Sequence, residues 1–451
     1  MLTATPSCLT RLTTALRALI RNTSRALIIS AGVASLPADS FAQTSPTAIT
    51  GARIITGLNQ PAIEDGTLVF EQGRITAVGE SASITLPGNT HIINLNGKTL
   101  MPGLVNAHGH AGNVRGLENG HYSRENLIRQ LRLYAAYGVT TVVSLGDDQA
   151  EGFTLRDEQA TPALDRARLF VAGPVLSASS PEQAIERVDA TAAMDPNFIK
   201  VRVDDNLGRT PKMPADVYRA FSQRASHHNI PLAVHAYYLE DSKAVVEAGA
   251  DLLAHSVRDT SVDQAFIDLL NETGVCYVPT LTREVSTFVY ENEPAFFTDP
   301  FFLANAEPDT LTALRDEDRQ QAIRNSQSAQ HYKTALNTAM ENLKRLNEGG
   351  VTIAMGTDSG PPARFQGYFE HMEMWMMQDA GLSPADIIRS ATSQAANCTF
   401  LEGVGSLQAG YWADFLVLSE NPLQDINLTR SLEQVWIAGK PIERTGFATQ
   451  P

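Results

Sequence analysis

Val139-Thr140-Thr141-Val142-Val143 is a continuous run with no charged position and no polar face to turn toward water. A strand of that kind is covered on both sides, as parallel strands are in α/β proteins. Further strand-like stretches lie near 103–108, 168–173, 197–204, 231–235, 251–255, 275–280 and 351–357, with helix-like stretches between them. Eight strands alternating with helices predict an α/β fold whose main body, residues 102–402, is a (β/α)8 TIM barrel.

Outside that body the pattern changes. Val69-Phe70 and Arg74–Val78 are β-rich runs on either side of Gln72-Gly73, which predicts a hairpin. Residues 412–418 and 434–440 have the same character. Segments 43–101 and 403–451 therefore predict one small β-sandwich domain built from both ends of the mature chain, because termini often lie close together. The longest gap between strands, 281–350, is aromatic from Phe288 to Phe302 and then a polar helix. It is read either as a lid on the catalytic rim or as an insertion facing a neighbouring subunit of a homo-oligomer.

With 451 residues and 43% apolar side chains the chain can bury a large core. A net charge of −15, with no basic cluster in the body, argues against nucleic acid or an anionic membrane as partner. Arg11, Arg17, Arg21 and Arg25 precede an apolar stretch, Ala26–Leu36, that is too short to span a bilayer comfortably. Ser40-Phe41-Ala42 supplies the small residues read by a signal peptidase. Residues 1–42 are thus read as a signal peptide cleaved before Gln43, the alternative being a retained anchor. Cleavage predicts a periplasmic or secreted protein of charge −18 with no membrane span. Cys276 and Cys398 remain in the mature chain; two cysteines are no framework, and both are read as buried thiols.

Ala107-His108-Gly109-His110 ends the first barrel strand, and histidines at i and i+2 point to the same face, within reach of one metal ion. In Phe198–Asp205 the period of two puts Ile199, Val201 and Val203 on one face and Lys200, Arg202 and Asp204 on the other. Neither face of a closed barrel strand meets bulk water, so these charges need partners or metal ions. Lys200 is either salt-bridged to Asp204 or, as a neutral amine that takes up CO2, a carbamate able to bridge two metals. His235 and His255 end the next two strands, and Asp358 ends the last. Six ligand-type residues at the ends of strands one, four, five, six and eight are a pattern that core packing does not predict.

The order His-x-His, Lys, His, His, Asp resembles the amidohydrolase superfamily, specifically its imidazolonepropionase-related branch that includes bacterial Xaa-Pro dipeptidases. The resemblance covers nearly the whole mature chain, with Pro102-Gly103-Leu104 before the first motif and Ala413-Asp414 in a carboxyl-terminal strand. It implies two divalent ions, usually zinc. His108, His110 and Asp358 would hold the more buried ion, His235 and His255 the more exposed one, and the carbamate on Lys200 would bridge. It also implies attack of a metal-bridging hydroxide on an amide carbonyl, with Asp358 moving the proton. Tyr237, two residues after His235, would donate to the oxyanion, or else be a packing aromatic. The expected substrate is a small molecule, a dipeptide of the Xaa-Pro kind or an N-acyl amino acid. Its carboxylate would be gripped by Arg202, Arg283 or Tyr237, although Arg202 could instead neutralise Asp204 or Asp205. His371 and Arg364 follow the last strand with no fixed direction.

Two other readings compete. A single-metal cyclic amidohydrolase, deaminase or lactonase would leave Lys200 without a task. The deaminases of the superfamily carry Glu three residues after the strand-five histidine, where this chain has Tyr238. A catalytically inactive barrel acting as a binding protein would have lost ligands, and all six positions are filled.

Overall fold

The computed structural model describes residues 45–444, so the proposed signal peptide lies outside the described residues. The strands are β1 (Thr47–Ile54), β2 (Ile63–Glu71), β3 (Arg74–Glu80), β4 (His91–Asn94) and β5 (Thr99–Pro102), followed by β6 (Leu104–Gly109), β7 (Val139–Ser144) and β8 (Arg168–Val171). Next come β9 (Val175–Leu176), β10 (Ile199–Arg202), β11 (Leu232–His235), β12 (Leu252–Ala254) and β13 (Cys276–Val278), and finally β14 (Phe415–Leu418), β15 (Leu432–Ile437) and β16 (Lys440–Pro441).

The two chain ends meet in one mixed sheet of eight strands, ordered β16-β15-β14-β5-β1-β2-β3 with β4 also on β1. β5 and β14 run antiparallel, Pro102 opposite Phe415 and Thr99 opposite Leu418, and this pairing joins the amino-terminal strands to the carboxyl-terminal ones. β2 and β3 form the expected hairpin. Glu71 pairs with Arg74 around Gln72 and Gly73, whose φ values of 50° and 80° give the twist a two-residue hairpin requires.

In the body, β6-β7-β8 form one parallel sheet and β9 to β13 another. The eighth stretch links them without becoming a regular strand. Ala354 N donates to Tyr277 O and Tyr277 N to Thr352 O, both at 3.0 Å, while on the other side Ala107 N donates to Met355 O at 2.9 Å. Further on, the ladder gives way. The amides of Thr357 and Asp358 both turn to His108 O, at 3.0 and 2.7 Å, and Asp358 takes a left-handed φ of 57°. Helices pack outside the two parallel sheets. Val105, Ala107, Val143, Phe198, Ala233, Leu252, Ala254, Val278 and Ala354, from both sheets and the linking stretch, converge in one buried cluster, joined by Ala395 and Ala396 of a short helix.

Cys276 and Cys398 correct the sequence reading. Both are buried, but as a disulfide and not as two thiols, with Cα atoms 5.7 Å apart across 122 residues of chain. The aromatic part of 281–350 packs onto its neighbours. Phe296, Phe297 and Phe302 are buried; Phe296 and Phe302 pack against Phe365 and Tyr368, and Phe297 stacks on Phe302. The long helix that follows, Gln327–Glu348, carries His331 to Tyr237, two residues past β11, and Tyr332 to Arg283, five residues past β13. Among the described residues, no helix is long and apolar enough to cross a membrane.

Candidate active site

His108, His110 and Asp358 bring three ligand atoms within 4.8 Å of one another. Strand β6 delivers the two rings on one face, and the broken eighth stretch delivers the carboxylate. Asp358 Oδ1 lies 2.8 Å from His110 Nε2 and 3.7 Å from His108 Nε2. Gly360 makes the approach possible: with φ 110°, a side chain there would put its Cβ 2.2 Å from His110 O. Lys200 Nζ stands 3.4 Å from His108 Nε2. The salt bridge of Lys200 with Asp204 does not form, because Asp204 is taken by Arg202 Nε at 2.6 Å and His235 Nε2 at 3.0 Å. Arg202 therefore plays the neutralising part foreseen as its alternative, and its Nε is not available as a clamp.

His235 and His255 sit outside the three-residue group but beside it. Their ring centroids are 4.1 Å apart, and the ring of His255 is 4.8 Å from that of His108. Three of the four histidines have one nitrogen tied by a neighbour behind it. His110 Nδ1 faces Gly146 O at 3.1 Å, His255 Nδ1 faces Thr280 Oγ1 at 2.7 Å, and His235 Nε2 faces Asp204. Such outer partners orient a ring and leave its other nitrogen for a metal. The residues at these turns carry unusual backbone: His255, Thr280 and Asp358 have φ of 73°, 50° and 57°. Left-handed geometry in residues with side chains persists where surrounding contacts enforce it, and it clusters at functional sites.

The electrostatics fit metal ions. Burial holds His108 and His255 well below the usual histidine range and brings His235 down to about 3, so these rings are neutral, as ligands must be. Burial lowers the Lys200 ammonium to about 7, which makes a neutral amine accessible. Burial would raise Asp358, but Arg364 and the bond to His110 keep it well below the usual carboxylate range. Burial would also lower His110, but its bond to Asp358 raises it. Three neutral imidazoles, this fourth ring on the aspartate, one carboxylate and one weakly basic amine, gathered at strand ends, suit divalent ions of the zinc type.

Tyr237 is buried, and its hydroxyl lies 2.5 Å from His331 Nε2. Arg283 is also buried and shares the carboxylate of Glu284 with Arg258: Arg283 Nη1 lies 3.1 Å and Arg258 Nε 2.9 Å from its oxygens. Arg283 Nη2 turns to Tyr332 Oη at 3.3 Å. Two guanidiniums thus share one acid beside Tyr237, whose ring lies under Arg258 at 4.5 Å. Arg364 donates to Asp358, whereas His371 is buried between Thr429 Oγ1 and Tyr137 O, at 3.0 and 2.7 Å, in the packing behind the site. Sequence reasoning missed Arg258, Glu284 and His331. Arg258 lies three residues after His255, a position where a loop residue could have been suspected, but nothing local marks His331.

Comparison with known proteins gives a consistent picture. Residues 99–442 match the Amidohydrolase family. Ochratoxinase of Aspergillus niger is 24% identical over 290 residues, 61% of this chain and 52% of that protein, so the chain spans about half the length of this curated relative. Imidazolonepropionase of Streptomyces coelicolor is 22% identical over 372 residues, 79% of this chain and 86% of that protein. A solved Xaa-Pro dipeptidase with bound methionine superposes with a TM-score of 0.71 at 21% identity, covering 88% of this chain and 100% of the other. At that identity the likeness is one of fold, and with the family match it implies a TIM barrel plus a β-domain.

Proposed function

Since the chain belongs to the amidohydrolase family, we propose that it is a metal-dependent hydrolase of a non-cyclic amide or peptide bond in a substrate with a free carboxylate. An Xaa-Pro-like dipeptide or an N-acyl amino acid is the substrate class that fits best. The observation that carries this reading is the meeting of His108, His110 and Asp358 beside Lys200, with His235 and His255 on neighbouring strand ends. We read the two parallel sheets and the stretch that links them as one barrel, with the site at its carboxyl-terminal mouth.

In this reading His108, His110 and Asp358 hold one ion. His235 and His255 would hold a second, and Lys200, as a carbamate formed with CO2, would serve as a ligand to both. When bound, such ions, zinc by preference, supply a water of lowered pKa and a Lewis acid for the carbonyl. Asp358 receives the proton of the nucleophile and passes it to the leaving nitrogen. Tyr237 donates its hydroxyl to the developing oxyanion. Arg283 grips the substrate carboxylate, since it shares the charge of Glu284 with Arg258 and is not fully neutralised.

A single-ion hydrolase is the second reading, favoured by one fact: the ligand atoms of His108, His110 and Asp358 converge as a group without His235 and His255. The experiment is direct. Protein reconstituted with Zn2+ is assayed for release of free amino acid from a panel of Xaa-Pro dipeptides and N-acyl amino acids. Hydrolysis by the loaded protein and none by the chelated protein is expected; a loaded protein inert across the panel would overturn the proposal.

A further inference from the structure

Behind the ligands lies a carboxylate with no part in the reaction outlined above. Glu370 is 0% exposed, yet four groups donate to it. Its Oε1 accepts from Asn106 Nδ2 at 2.6 Å, Thr357 Oγ1 at 2.7 Å and Ser359 Oγ at 2.6 Å. Its Oε2 accepts from Gly367 N at 2.6 Å, at the start of its own helix, Tyr368–Asp379.

The placement of the donors is the informative part. Thr357 and Ser359 flank Asp358 on either side. Asn106 lies two residues before His108, and its Oδ1 in turn accepts from His108 N at 3.0 Å. One oxygen of Glu370 therefore ties the strand that carries both histidines to the residues on both sides of the aspartate. Asp358 holds a left-handed φ of 57°, a conformation uncommon for a residue with a side chain and, at a buried position such as this, one that surrounding contacts must hold. The ties have a fixed direction. Thr357 Oγ1 gives its proton to Glu370 and accepts from Asn106 Nδ2 at 2.9 Å and Ser359 N at 3.0 Å. Ser359 Oγ gives its proton to Glu370 and has Tyr134 Oη at 2.7 Å. An acceptor-only group at the centre satisfies every member, and buried networks of this kind hold one geometry when all members are satisfied.

We infer that Glu370 is a positioning residue of the metal centre: it sets the joint geometry of Asp358, His108 and His110 without touching them. The inference rests on the metal-site reading above. A helix-capping role alone would use only Oε2, so the two oxygens can be separated by substitution.

The test measures Zn2+ affinity by competition with a chromophoric chelator, on proteins shown to be folded by circular dichroism. Glu370→Leu removes both arms and is expected to weaken binding about 10- to 100-fold, the usual loss when an outer-shell partner goes. Glu370→Gln keeps one acceptor for the three side chains and loses the bond to Gly367 N, so most of the affinity should return while Tm stays low. A mere cap would give no such rescue. Should Glu370→Leu fail to fold, Ser359→Ala carries the test, because it cuts one Oε1 tie and spares the cap. Wild-type affinity in Glu370→Leu or, if that variant does not fold, in Ser359→Ala overturns the inference. A wild-type protein that binds no Zn2+ would instead overturn the metal-site reading itself.

Discussion

The hydroxyl of Tyr237 lies 2.5 Å from Nε2 of His331, a residue 94 positions further along the chain. Tyr237 follows the strand-five histidine, and His331 belongs to the first turns of the helix Gln327–Glu348. The contact brings the 281–350 excursion to Tyr237, the oxyanion donor of the proposed site. As an acceptor or donor, His331 can fix where the tyrosine proton points. Tyr237→Phe is expected to lower kcat about 100-fold, the loss typical of one oxyanion donor. His331→Ala should lower it about 10-fold, roughly 1.4 kcal/mol of barrier. The double variant should be no worse than Tyr237→Phe, since the histidine acts through the tyrosine. Additive losses would show that His331 works independently.

Arg283 should decide how the enzyme treats a free carboxylate. Masking that group as an amide is expected to cost about two orders of magnitude in kcat/KM, matching the loss of a charge-assisted bond of ~3 kcal/mol. Arg283→Met should impose the same loss on the free substrate and little on the masked one. Equal rates for both substrates in the wild type would shift the reading toward neutral esters, lactones or amides.

Lys200 is testable through the metal count. The wild type is expected to hold close to two ions per chain after reconstitution, and Lys200→Ala one, with activity nearly abolished. Acetate or formate should restore part of it by supplying the missing carboxylate. A Lys200→Ala protein with full metal content and normal turnover would remove the bridging carbamate from the reading.

The β-domain and the parallel sheets are joined by a buried ion pair. Arg168 Nε lies 2.9 Å from Asp414 Oδ2 with both side chains almost wholly covered, and the guanidinium also lies over Trp412 at 4.1 Å. Arg168→Met leaves Asp414 buried and without its guanidinium partner, and should cost about 3–5 kcal/mol in a urea unfolding experiment. Replacing Asp414 by Leu as well should recover much of that. An unchanged midpoint in the single variant would show that the pair adds little to holding the units together.

Export and the disulfide can be checked together by counting thiols. Mature protein beginning near Gln43, unfolded without reductant, should show no free thiol, and two after reduction. A retained leader would add the thiol of Cys8. Two reactive thiols before reduction would mean that Cys276 and Cys398 are not joined, and intact Met1 on cytoplasmic protein would overturn the export signal.

Most of the strands, and the candidates His108, His110 and Asp358 that meet in the structure, were legible in the sequence because their signals are local. Two histidines two residues apart share a face in any strand, and Ile199, Val201 and Val203 separate from Lys200, Arg202 and Asp204 by the same period. Gln72-Gly73 marks its own hairpin. The eighth stretch shows where such reasoning stops. Val351–Thr357 has strand character, but the amides of Thr357 and Asp358 close on His108 O, and a carbonyl 250 residues earlier has no trace in local pattern. The choice of partner had the same fate everywhere. Asp204 was a candidate partner for Lys200 and holds His235 and Arg202; Arg283 shares Glu284 with Arg258; Cys276 meets Cys398; His331 meets Tyr237. Composition and periodicity determine which way a side chain faces from its own strand or helix. Which group it then meets depends on how separate strand ends and loops are packed into one rim, and that is a property of the tertiary structure alone.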